Sequence, residues 1–335
     1  MSPRPRSLAS RLPPTWREAF RLLAARLLDL RVRLSARRLA LVLVYHRLGD
    51  QPGDPRFELV PAVGRELFDA ELAHLARRYR VVAASDVIGA AAARRRGERF
   101  PVALTFDDDL VSHAALAAPA LRAQGVPATF FLTGPPPGGR TRRWWESLQV
   151  AIDQRLVRPE QLQPIAASLV EASLAREPHA TGVLAQALEL LPPEELAALE
   201  AELERRTAAA AFEPALSSEQ ISELAREGFE VGFHTRDHRL FTTLDERAAR
   251  AALVEGKREL EHEVGGSISL LAYPHGKAEP WVAEAAAEAG YKLAFTGRRE
   301  PVRPETDRFL VGRFEPRADT PGRFALELAR AIASA

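Results

Sequence analysis

Residues 102–109 read Val102-Ala-Leu-Thr-Phe-Asp-Asp-Asp109, and this stretch decides the fold class. Its first five residues are apolar, β-branched or aromatic, which is typical of a buried strand, and three carboxylates follow at once. Residues 65–78 before it and 113–124 after it have the pattern of amphipathic helices. A buried strand between two helices is the repeating unit of a parallel sheet covered by helices.

The same alternation of strand and helix patterns continues through most of the chain. A capping box at Ser217-Ser-Glu-Gln220 begins one of these helices, and a single helix is predicted from residue 243 to Gly265. The predicted strands are residues 41–45, 79–84, 102–106, 128–133, 229–233, 269–273, 291–295 and 309–314. About eight strands separated by helices predict an α/β fold with a parallel sheet, either open or closed into a barrel.

Two segments depart from this alternation. Residues 135–216 begin with Pro135-Pro-Pro-Gly-Gly139, pass Trp144-Trp145 and continue with leucines at helical spacing, which predicts a helical insertion. Residues 1–38 contain ten arginines and two acidic residues, and this surplus of +8 makes them a basic leader. We therefore predict a leader at 1–38 and a barrel domain at 39–335 that is interrupted by the insertion.

The composition excludes several classes of protein. With 335 residues, of which 46% are hydrophobic and 27% charged, the chain can bury a core and is not a disordered protein. The absence of cysteine excludes disulfides and thiolate chemistry, so any metal site must use histidine and carboxylate ligands. No run approaches the roughly 18 apolar residues of a membrane span, and the N-terminus lacks the apolar core of a secretory signal. We expect a cytoplasmic protein, and the arginine content alone predicts no nucleic-acid partner.

Residues with catalytic chemistry follow the predicted strands. In parallel α/β folds, ligands bind at the carboxyl ends of strands. Four predicted strand ends carry such residues, namely Tyr45-His46, Asp107-Asp108-Asp109, His234-Thr-Arg-Asp-His238 and Tyr273-Pro274-His275. Two histidines four residues apart can bind one metal ion together with a carboxylate from another strand, and a second carboxylate can act as general base toward water. The sequence therefore predicts a catalytic metal site at this edge of the sheet.

Each of these residues also has an interpretation without catalysis. A pair of histidines at this spacing is common by chance, and consecutive aspartates can form a solvated loop or an N-cap. His275 can be a turn residue, and His46 can be a buried histidine whose hydrogen bonds are satisfied. Their occurrence together at successive strand ends favours the metal site.

Three of these segments, in this order along the chain, resemble the first three motifs of the polysaccharide deacetylases, the NodB-homology domain of carbohydrate esterase family 4. They are Thr105-Phe-Asp-Asp-Asp109, His234-Thr-Arg-Asp-His238 and Ala272-Tyr-Pro-His-Gly276. The third resembles the branch of the family that reads Tyr-Pro-x-Gly, and the resemblance covers roughly residues 41–134 and 217–315. It implies a distorted (β/α)7 barrel and hydrolytic removal of N-acetyl groups from amino sugars with one divalent metal, usually zinc.

The resemblance also implies roles for individual residues. Asp107 is the general base, and the metal is held by Asp108, His234 and His238. A backbone N–H near Tyr273-Pro274 stabilises the oxyanion. The substrate is an N-acetylated glycan that contains amino sugars; a leader that lies on a membrane would make a lipid-linked saccharide a further candidate.

The chain departs from the family pattern at three positions. Asp109 replaces the usual glycine after the paired aspartates, which is tolerable if the turn needs a positive φ, because aspartate accepts that conformation better than most residues. Ala272 replaces the arginine that orients the base. The late Leu-x-His motif that supplies the general acid is missing, since no histidine follows His275.

Two functions therefore need substitutes. Arg313, on the last predicted strand, is the candidate partner of Asp107, and the alternative for Arg313 is a structural or surface ion pair. His46 and His275 are the candidates for the general acid.

Two other functions remain open at this point. One is a non-sugar amidohydrolase on the same barrel, and the other is an inactive member that binds glycan or acts as a scaffold in a polysaccharide synthesis system. The presence of the complete base and ligand set argues against the inactive member. Metal content and acetate release separate the three.

The leader carries a further expectation. Its leucines and aromatic residues are interleaved with arginines, so a helix from about residue 16 to 36 has a broad apolar side. Such a helix can lie on an anionic membrane surface, which would place the protein at the inner face of the membrane. The alternative is an amphipathic helix packed on the barrel with its arginine head groups in water.

Overall fold

The computed structural model describes residues 13–134, 143–158, 167–210, 213 and 215–335. Within them the strands are β1 (Leu41–Tyr45), β2 (Leu48–Gly49), β3 (Val63–Gly64), β4 (Arg80–Val82), β5 (Pro101–Asp107), β6 (Thr129–Leu132), β7 (Glu230–Phe233), β8 (Leu270–Ala272) and β9 (Leu293–Phe295). The helices are α1 (Pro14–Arg33), α2 (Arg65–Arg78), α3 (Val87–Ala93), α4 (Ala118–Gln124), α5 (Trp144–Asp153), α6 (Ala167–Leu174), α7 (Ala180–Glu189), α8 (Pro193–Thr207), α9 (Ser218–Arg226), α10 (Glu246–Ala252), α11 (Lys257–Val264), α12 (Pro280–Glu288) and α13 (Pro321–Ser334). The start of the predicted insertion at 135–142 and residues 1–12 of the predicted leader lie outside the described residues.

Seven strands form one parallel sheet. Its order is β1-β5-β6-β7-β8-β9, and β4 pairs with the start of β5. On one edge of β5, Tyr45 of β1 is opposite Phe106. On the other edge, Asp107 is opposite Phe131 of β6. All residues of β5 are buried, because strands cover both of its edges, helices cover its outer face, and side chains from the other strands pack against its inner face.

The segment that follows β9 closes the sheet. Val311 pairs in parallel with Phe295 of β9, and Phe314 pairs in parallel with Leu43 of β1. The Phe314 N–H donates to Val42 O at 2.7 Å. The sheet thus curves into a distorted (β/α) barrel, which confirms the predicted fold class. The last predicted strand is present only as these isolated bridges.

The helix predicted from residue 243 to Gly265 is in fact two helices. α10 begins after Asp245, whose side chain accepts the Ala248 N–H, and α11 begins after Gly256. Gly256 has a φ of 84°, and a Cβ there would lie 2.6 Å from Arg236 Nε. The left-handed backbone at Gly256 separates the two helices and leaves room for the arginine side chain.

Helices α5 to α8 occupy the predicted insertion where the structure describes it. They share a hydrophobic cluster that is separate from the barrel core and consists of buried side chains on all four helices: Trp144, Trp145, Leu148, Ile152, Val170, Leu184, Leu188, Leu196, Leu199 and Leu203. Leu59 and Val60, in the loop before β3, pack against this cluster. The two tryptophans are therefore core residues of the insertion.

The leader helix α1 packs along α13 on the outside of the barrel. Ala25 and Val32 are buried on its inner side, and Asp29 pairs with Arg78 of α2 at 3.0 Å. Packing on the barrel is the alternative that the sequence analysis left open. Among the described residues, no helix combines the length and the hydropathy that crossing a bilayer requires.

Glu71 is a carboxylate inside the hydrophobic core. It lies on α2 with 1% of its surface exposed, and it accepts a hydrogen bond from the Tyr45 hydroxyl at 2.9 Å. Phe68 and Phe106 pack against the Tyr45 ring. Burial raises the pKa of Glu71 from 4.5 to about 8, although the hydrogen bond from Tyr45 lowers it.

Glu71 should make the stability of the protein depend on pH. Between pH 4.5 and about 8 the folded protein keeps a proton that the unfolded chain releases, so the free energy of unfolding falls as the pH rises. The effect is on the order of a few kcal/mol. Urea unfolding at pH 4.5 and at about pH 8 should show a smaller fall in the free energy of unfolding for Glu71→Gln than for the native chain. Glu66→Gln, at an exposed position of the same helix, is the control, and equal falls in all three proteins would contradict the effect.

Candidate active site

The predicted site residues lie at the carboxyl ends of neighbouring strands. Asp107 is the last residue of β5, and Asp108 and Asp109 follow it. His234 comes directly after β7, and Tyr273 comes directly after β8. Because β5, β6, β7 and β8 are parallel and adjacent, these residues share one end of the barrel.

Asp108, His234 and His238 form a compact group of metal-ligand atoms, which we call the ligand group. Asp108 Oδ1 lies 3.3 Å from His238 Nε2 and 3.5 Å from His234 Nε2. The two Nε2 atoms are 3.2 Å apart, and all three side chains are buried. Two nitrogens bound to one tetrahedral zinc ion lie about 3.3 Å apart. The three atoms therefore have the spacing of ligands to one ion.

The hydrogen bonds of these side chains fit a bound cation. His234 Nδ1 donates to Ala272 O at 2.8 Å, which leaves Nε2 as the acceptor nitrogen of the neutral ring. Asp108 Oδ1 and His238 Nδ1 are buried and have no hydrogen-bond partner within the described part of the chain. Buried polar atoms without partners are rare and costly. A cation in the ligand group would supply the missing partner of Asp108.

The backbone around the ligand group adopts a strained conformation. Positive φ angles between 49° and 84° occur at five residues, namely Asp108, Asp109, Thr235, His238 and His275. Such angles are unfavourable for residues other than glycine and persist only where the surrounding structure holds them. At Asp109 the turn does need the positive φ that a glycine would adopt more easily. Strain that is concentrated around buried ligands is typical of a functional site.

Burial and charge act in opposite directions on the site residues. Burial raises the pKa values of Asp107 and Asp108, but their charged neighbours lower both values by more. For Asp107 the largest of these neighbours is Arg313. Burial lowers the pKa of His238 well below its usual range. It also lowers the pKa of His234, but the carboxylates of Asp107 and Asp108 outweigh it, and the pKa of His234 is raised.

Arg313 reaches Asp107 from the segment that closes the barrel. Its two terminal nitrogens donate to Asp107 Oδ1 and Oδ2, each at 2.8 Å, and both side chains are buried. A bidentate pair fixes the plane of the carboxylate. Arg313 therefore makes the contact with Asp107 that was expected of it, since position 272 carries alanine instead of the family's arginine. Because Arg313 is buried, the contact is not a surface ion pair.

The two candidate acids both lie beside the ligand group. His46 Nε2 is 4.0 Å from Asp108 Oδ2, and His46 Nδ1 is 3.6 Å from Glu315 Oε1. The His275 ring meets the His238 ring edge to face, with centroids 4.7 Å apart. Neither residue belongs to the ligand group, so neither ring is committed to a metal ion.

The polar groups of Tyr273 are engaged in hydrogen bonds, and the oxyanion role predicted for the backbone near Tyr273-Pro274 stays a prediction. The Tyr273 N–H donates to Phe295 O at 3.0 Å within the sheet, and the Tyr273 hydroxyl donates to Phe309 O at 3.0 Å. Pro274 has no N–H. Tyr273 is a fully buried core residue that supports the strand end.

Two residues of the insertion contact histidines at the site. The rings of Trp145 and His238 lie 4.6 Å apart, measured between their centroids. Glu189, the last residue of α7, has Oε1 3.2 Å from His275 Nδ1. The tryptophan pair is a visible signal in the sequence, but Glu189 ends an ordinary amphipathic helix and carries no signal of its own.

Asp109 connects the loop after β5 to the insertion. Its carboxylate accepts hydrogen bonds from the Thr133 N–H at 2.9 Å, from the Thr133 hydroxyl, and from Arg143 at 2.9 Å. Arg143 also donates to Arg236 O, in the loop that carries the two ligand histidines. One buried carboxylate thus joins the β5 loop, the end of β6 and the start of α5. A glycine at this position could not make these contacts.

A cavity of about 340 Å³ lies between the insertion and the loops around Asp108, the one member of the ligand group in its lining. Its lining includes Asp108, Arg143, Trp145, Glu146 and Arg239. The volume is at the lower end of the range for small-molecule sites. Charged groups and an aromatic ring in one cavity suit a polar organic ligand.

Comparison with known proteins assigns the family. The family model described as polysaccharide deacetylase matches residues 94–171 and 180–294, which are more than half of the chain. The chain belongs to the polysaccharide deacetylase family. Asp107, the ligand group and Tyr273 all lie within the matched residues, whereas Arg313 lies beyond them. No curated protein matches the sequence.

Solved deacetylase structures share the fold of this polysaccharide deacetylase. The Streptococcus pyogenes deacetylase PplD in complex with acetate has a TM-score of 0.57 at 15% identity, over 88% of this chain and 98% of PplD. IcaB from Ammonifex degensii has a TM-score of 0.53 at 22% identity, over 88% and 97%. The BpsB deacetylase domain from Bordetella bronchiseptica has a TM-score of 0.50 at 17% identity, over 82% and 95%. At these identities the likeness shows a common fold.

The ligand group predicts the metal content of this polysaccharide deacetylase. The purified protein should carry about one divalent metal ion per chain, because three protein ligands converge on one position. His234→Ala and His238→Ala should each abolish this binding. His262→Ala, at an exposed position of α11, should leave the metal content unchanged. Elemental analysis after dialysis measures the ratio, and a full complement of metal in both ligand variants would refute the assignment.

Proposed function

We propose that this polysaccharide deacetylase removes N-acetyl groups from an amino-sugar-containing glycan by metal-dependent hydrolysis. The observation that carries the proposal is the position of Asp107. Arg313 holds both of its carboxylate oxygens, and Oδ2 lies 3.7 Å from His234 Nε2 in the ligand group. A fixed base beside a set of metal ligands is the arrangement that hydrolysis of an amide needs.

In this proposal the ligand group holds a zinc ion. Two imidazole nitrogens and one carboxylate oxygen are a common zinc set that leaves room for a further ligand. When bound, zinc supplies a Lewis acid for the acetamide carbonyl. The buried Asp108 Oδ1 without a hydrogen-bond partner supports a cation at this position.

Asp107 is the general base of the proposed reaction. Burial raises the pKa of Asp107, but Arg313 and His234 lower it by more, so the carboxylate is ionised at neutral pH. It accepts a proton from the attacking water. Arg313 keeps the plane of the carboxylate fixed during this transfer, because it bonds both oxygens.

His275 is the general acid that we propose for the departing amine. Glu189 Oε1 lies 3.2 Å from His275 Nδ1, which orients the ring so that Nε2 can face the departing amine. His46 is the alternative acid. Its partner Glu315 has a side chain that is 55% exposed, which holds the His46 ring less firmly than Glu189 holds His275.

An N-acetylated glycan, free or lipid-linked, is supported as substrate by the family and by one of the solved structures. PplD is described as a deacetylase in complex with acetate, which is the product expected from removal of an acetyl group. The cavity next to Asp108 has a polar and aromatic lining, which suits a sugar.

Acetate release tests the proposal. The native protein should release acetate from members of a panel of N-acetylated oligosaccharides, and chelation of the metal should stop the release. Asp107→Asn should lower kcat about 10² to 10⁴-fold while its metal content is kept, because it removes the general base and leaves the ligand group in place. Since it also breaks the pair with Arg313, kcat is compared at a temperature at which the variant is folded. Asp108→Asn should lose both metal and activity.

Three outcomes would replace this proposal. Hydrolysis of other amides without release from any sugar would identify a non-sugar amidohydrolase. Glycan binding without turnover of any amide would identify a binding or scaffold protein. Loss of the metal from Asp107→Asn, with retention in Asp108→Asn, would reverse the roles of the two aspartates.

A change of leaving group tests His275. An amine needs a proton to depart, whereas the phenolate of p-nitrophenyl acetate leaves as an anion. His275→Gln should therefore lose about 10²-fold in kcat on N-acetylated sugars and change little on p-nitrophenyl acetate. Equal losses on both substrates would make His275 a positioning residue. A selective loss in His46→Gln instead would make His46 the acid.

A further inference from the structure

The exposed side of α1 carries a continuous apolar stripe. Nine large hydrophobic side chains are exposed in the described part of the chain; five of them lie on this one helix, and a sixth, Leu34, is the residue that caps its C-terminus. The six are 53% to 68% exposed and are separated by four, three, four, three and four residues: Trp16, Phe20, Leu23, Leu27, Leu30 and Leu34. This spacing places them along one side of the helix, which we call the α1 stripe.

The opposite side of α1 is fixed to the barrel. Ala25 and Val32 are buried on that side, along the contact with α13. Glu18 accepts the Gly322 N–H at the start of α13, and Asp29 pairs with Arg78. One face of the helix is therefore packed on the barrel, and the opposite face, with the α1 stripe, is exposed to solvent.

The charges around the α1 stripe are all positive. Both carboxylates of the helix, Glu18 and Asp29, lie on the packed face. At 100° per residue, Arg26 lies on one side of the stripe and Arg31 lies on the other, and both are exposed. An apolar stripe between basic residues, with aromatic residues at one end, is the pattern of a helix that lies in a membrane surface.

A cavity lies between α1 and the region of α13, away from the α1 stripe. It has a volume of about 460 Å³ and is lined by four arginines and one glutamate, namely Arg21, Arg317, Arg323, Arg330 and Glu327. Arg21 pairs with Glu18 on the packed face, and Arg323 pairs with Asp319. Two of the four arginines are therefore already neutralised, and the cavity lies on the packed side of α1.

A second copy of the chain fits the α1 stripe less well than an anionic membrane does. The spacing of four and three would suit a two-stranded coiled coil, in which flanking residues of opposite charge pair across the seam. Here the exposed flanking charges, Arg26 and Arg31, are both positive, so two copies would bring arginines together. Anionic lipid head groups offer the opposite charge on both sides of the stripe.

We propose that α1 binds the surface of an anionic phospholipid membrane. The α1 stripe enters the boundary between head groups and acyl chains, and Arg26 and Arg31 contact the phosphates on its two sides. The barrel stays attached through the packed face. This binding does not depend on hydrolytic activity.

Vesicle flotation with the full chain tests the proposal. The protein should float with vesicles of phosphatidylcholine and phosphatidylglycerol, and much less with phosphatidylcholine alone or at high salt. The triple variant Leu23→Gln, Leu27→Gln, Leu30→Gln should lose on the order of tenfold in vesicle binding with an unchanged melting temperature, because the three side chains are exposed and glutamine favours helices. A deletion of α1 is unsuitable, since it would uncover the apolar side of α13.

Two further variants make the test specific. Val183→Gln with Val254→Gln removes exposed apolar side chains elsewhere and should bind vesicles like the native chain. Arg26→Glu with Arg31→Glu should lose binding to the anionic vesicles. The proposal is overturned if the native chain does not float, or if the triple leucine variant floats as well as the native chain. If the native chain does not float but forms dimers, and the triple variant is a monomer, the stripe binds a second copy of the chain.

Discussion

Arg313 and Asp107 form a buried, bidentate ion pair between the segment that closes the barrel and its central strand, β5. Two buried charges are tolerated when they neutralise each other and their hydrogen bonds are made. Removal of one partner leaves an unpaired buried charge and lowers the free energy of unfolding by about 3–5 kcal/mol. The same contact therefore holds the closing segment against β5 and orients the carboxylate at the end of β5. Barrel closure and the geometry of the candidate base are one structural feature, because the arginine comes from the last segment of the sheet.

The insertion is part of the site as well as an addition to the barrel. Its own hydrophobic cluster folds α5 to α8 together, and polar and aromatic residues at the margin of this cluster reach the ligand loops. Arg143 bonds Asp109, Trp145 packs on His238, and Glu189 contacts His275. The aspartate that replaces the family's glycine is the point of attachment. A change in the insertion would consequently alter the ligand loops and the cavity together.

The strand ends could be predicted from the sequence because strand patterns are local and parallel strands put their carboxyl ends on one edge. Asp107, Asp108 and His234 were placed together in this way. The contacts of Glu189 could not be predicted, since they join segments far apart in the chain and depend on how two hydrophobic clusters pack. The sequence also did not predict that the Tyr273 N–H is bonded within the sheet. Tyr273 follows the last residue of β8, but its N–H still donates to Phe295 O of β9.

The charges at the end of the barrel bear on what the ligand group holds. Asp107 and Asp108 are two buried anions, and Arg313 neutralises one of them, so one negative charge remains inside the protein. The carboxylates of Asp107 and Asp108 raise the pKa of His234 although burial lowers it, so this position favours positive charge. Burial keeps His238 neutral, with a nitrogen available as a ligand. A cation among these atoms would neutralise the remaining negative charge. It would also coordinate the buried Asp108 oxygen, which has no hydrogen-bond donor.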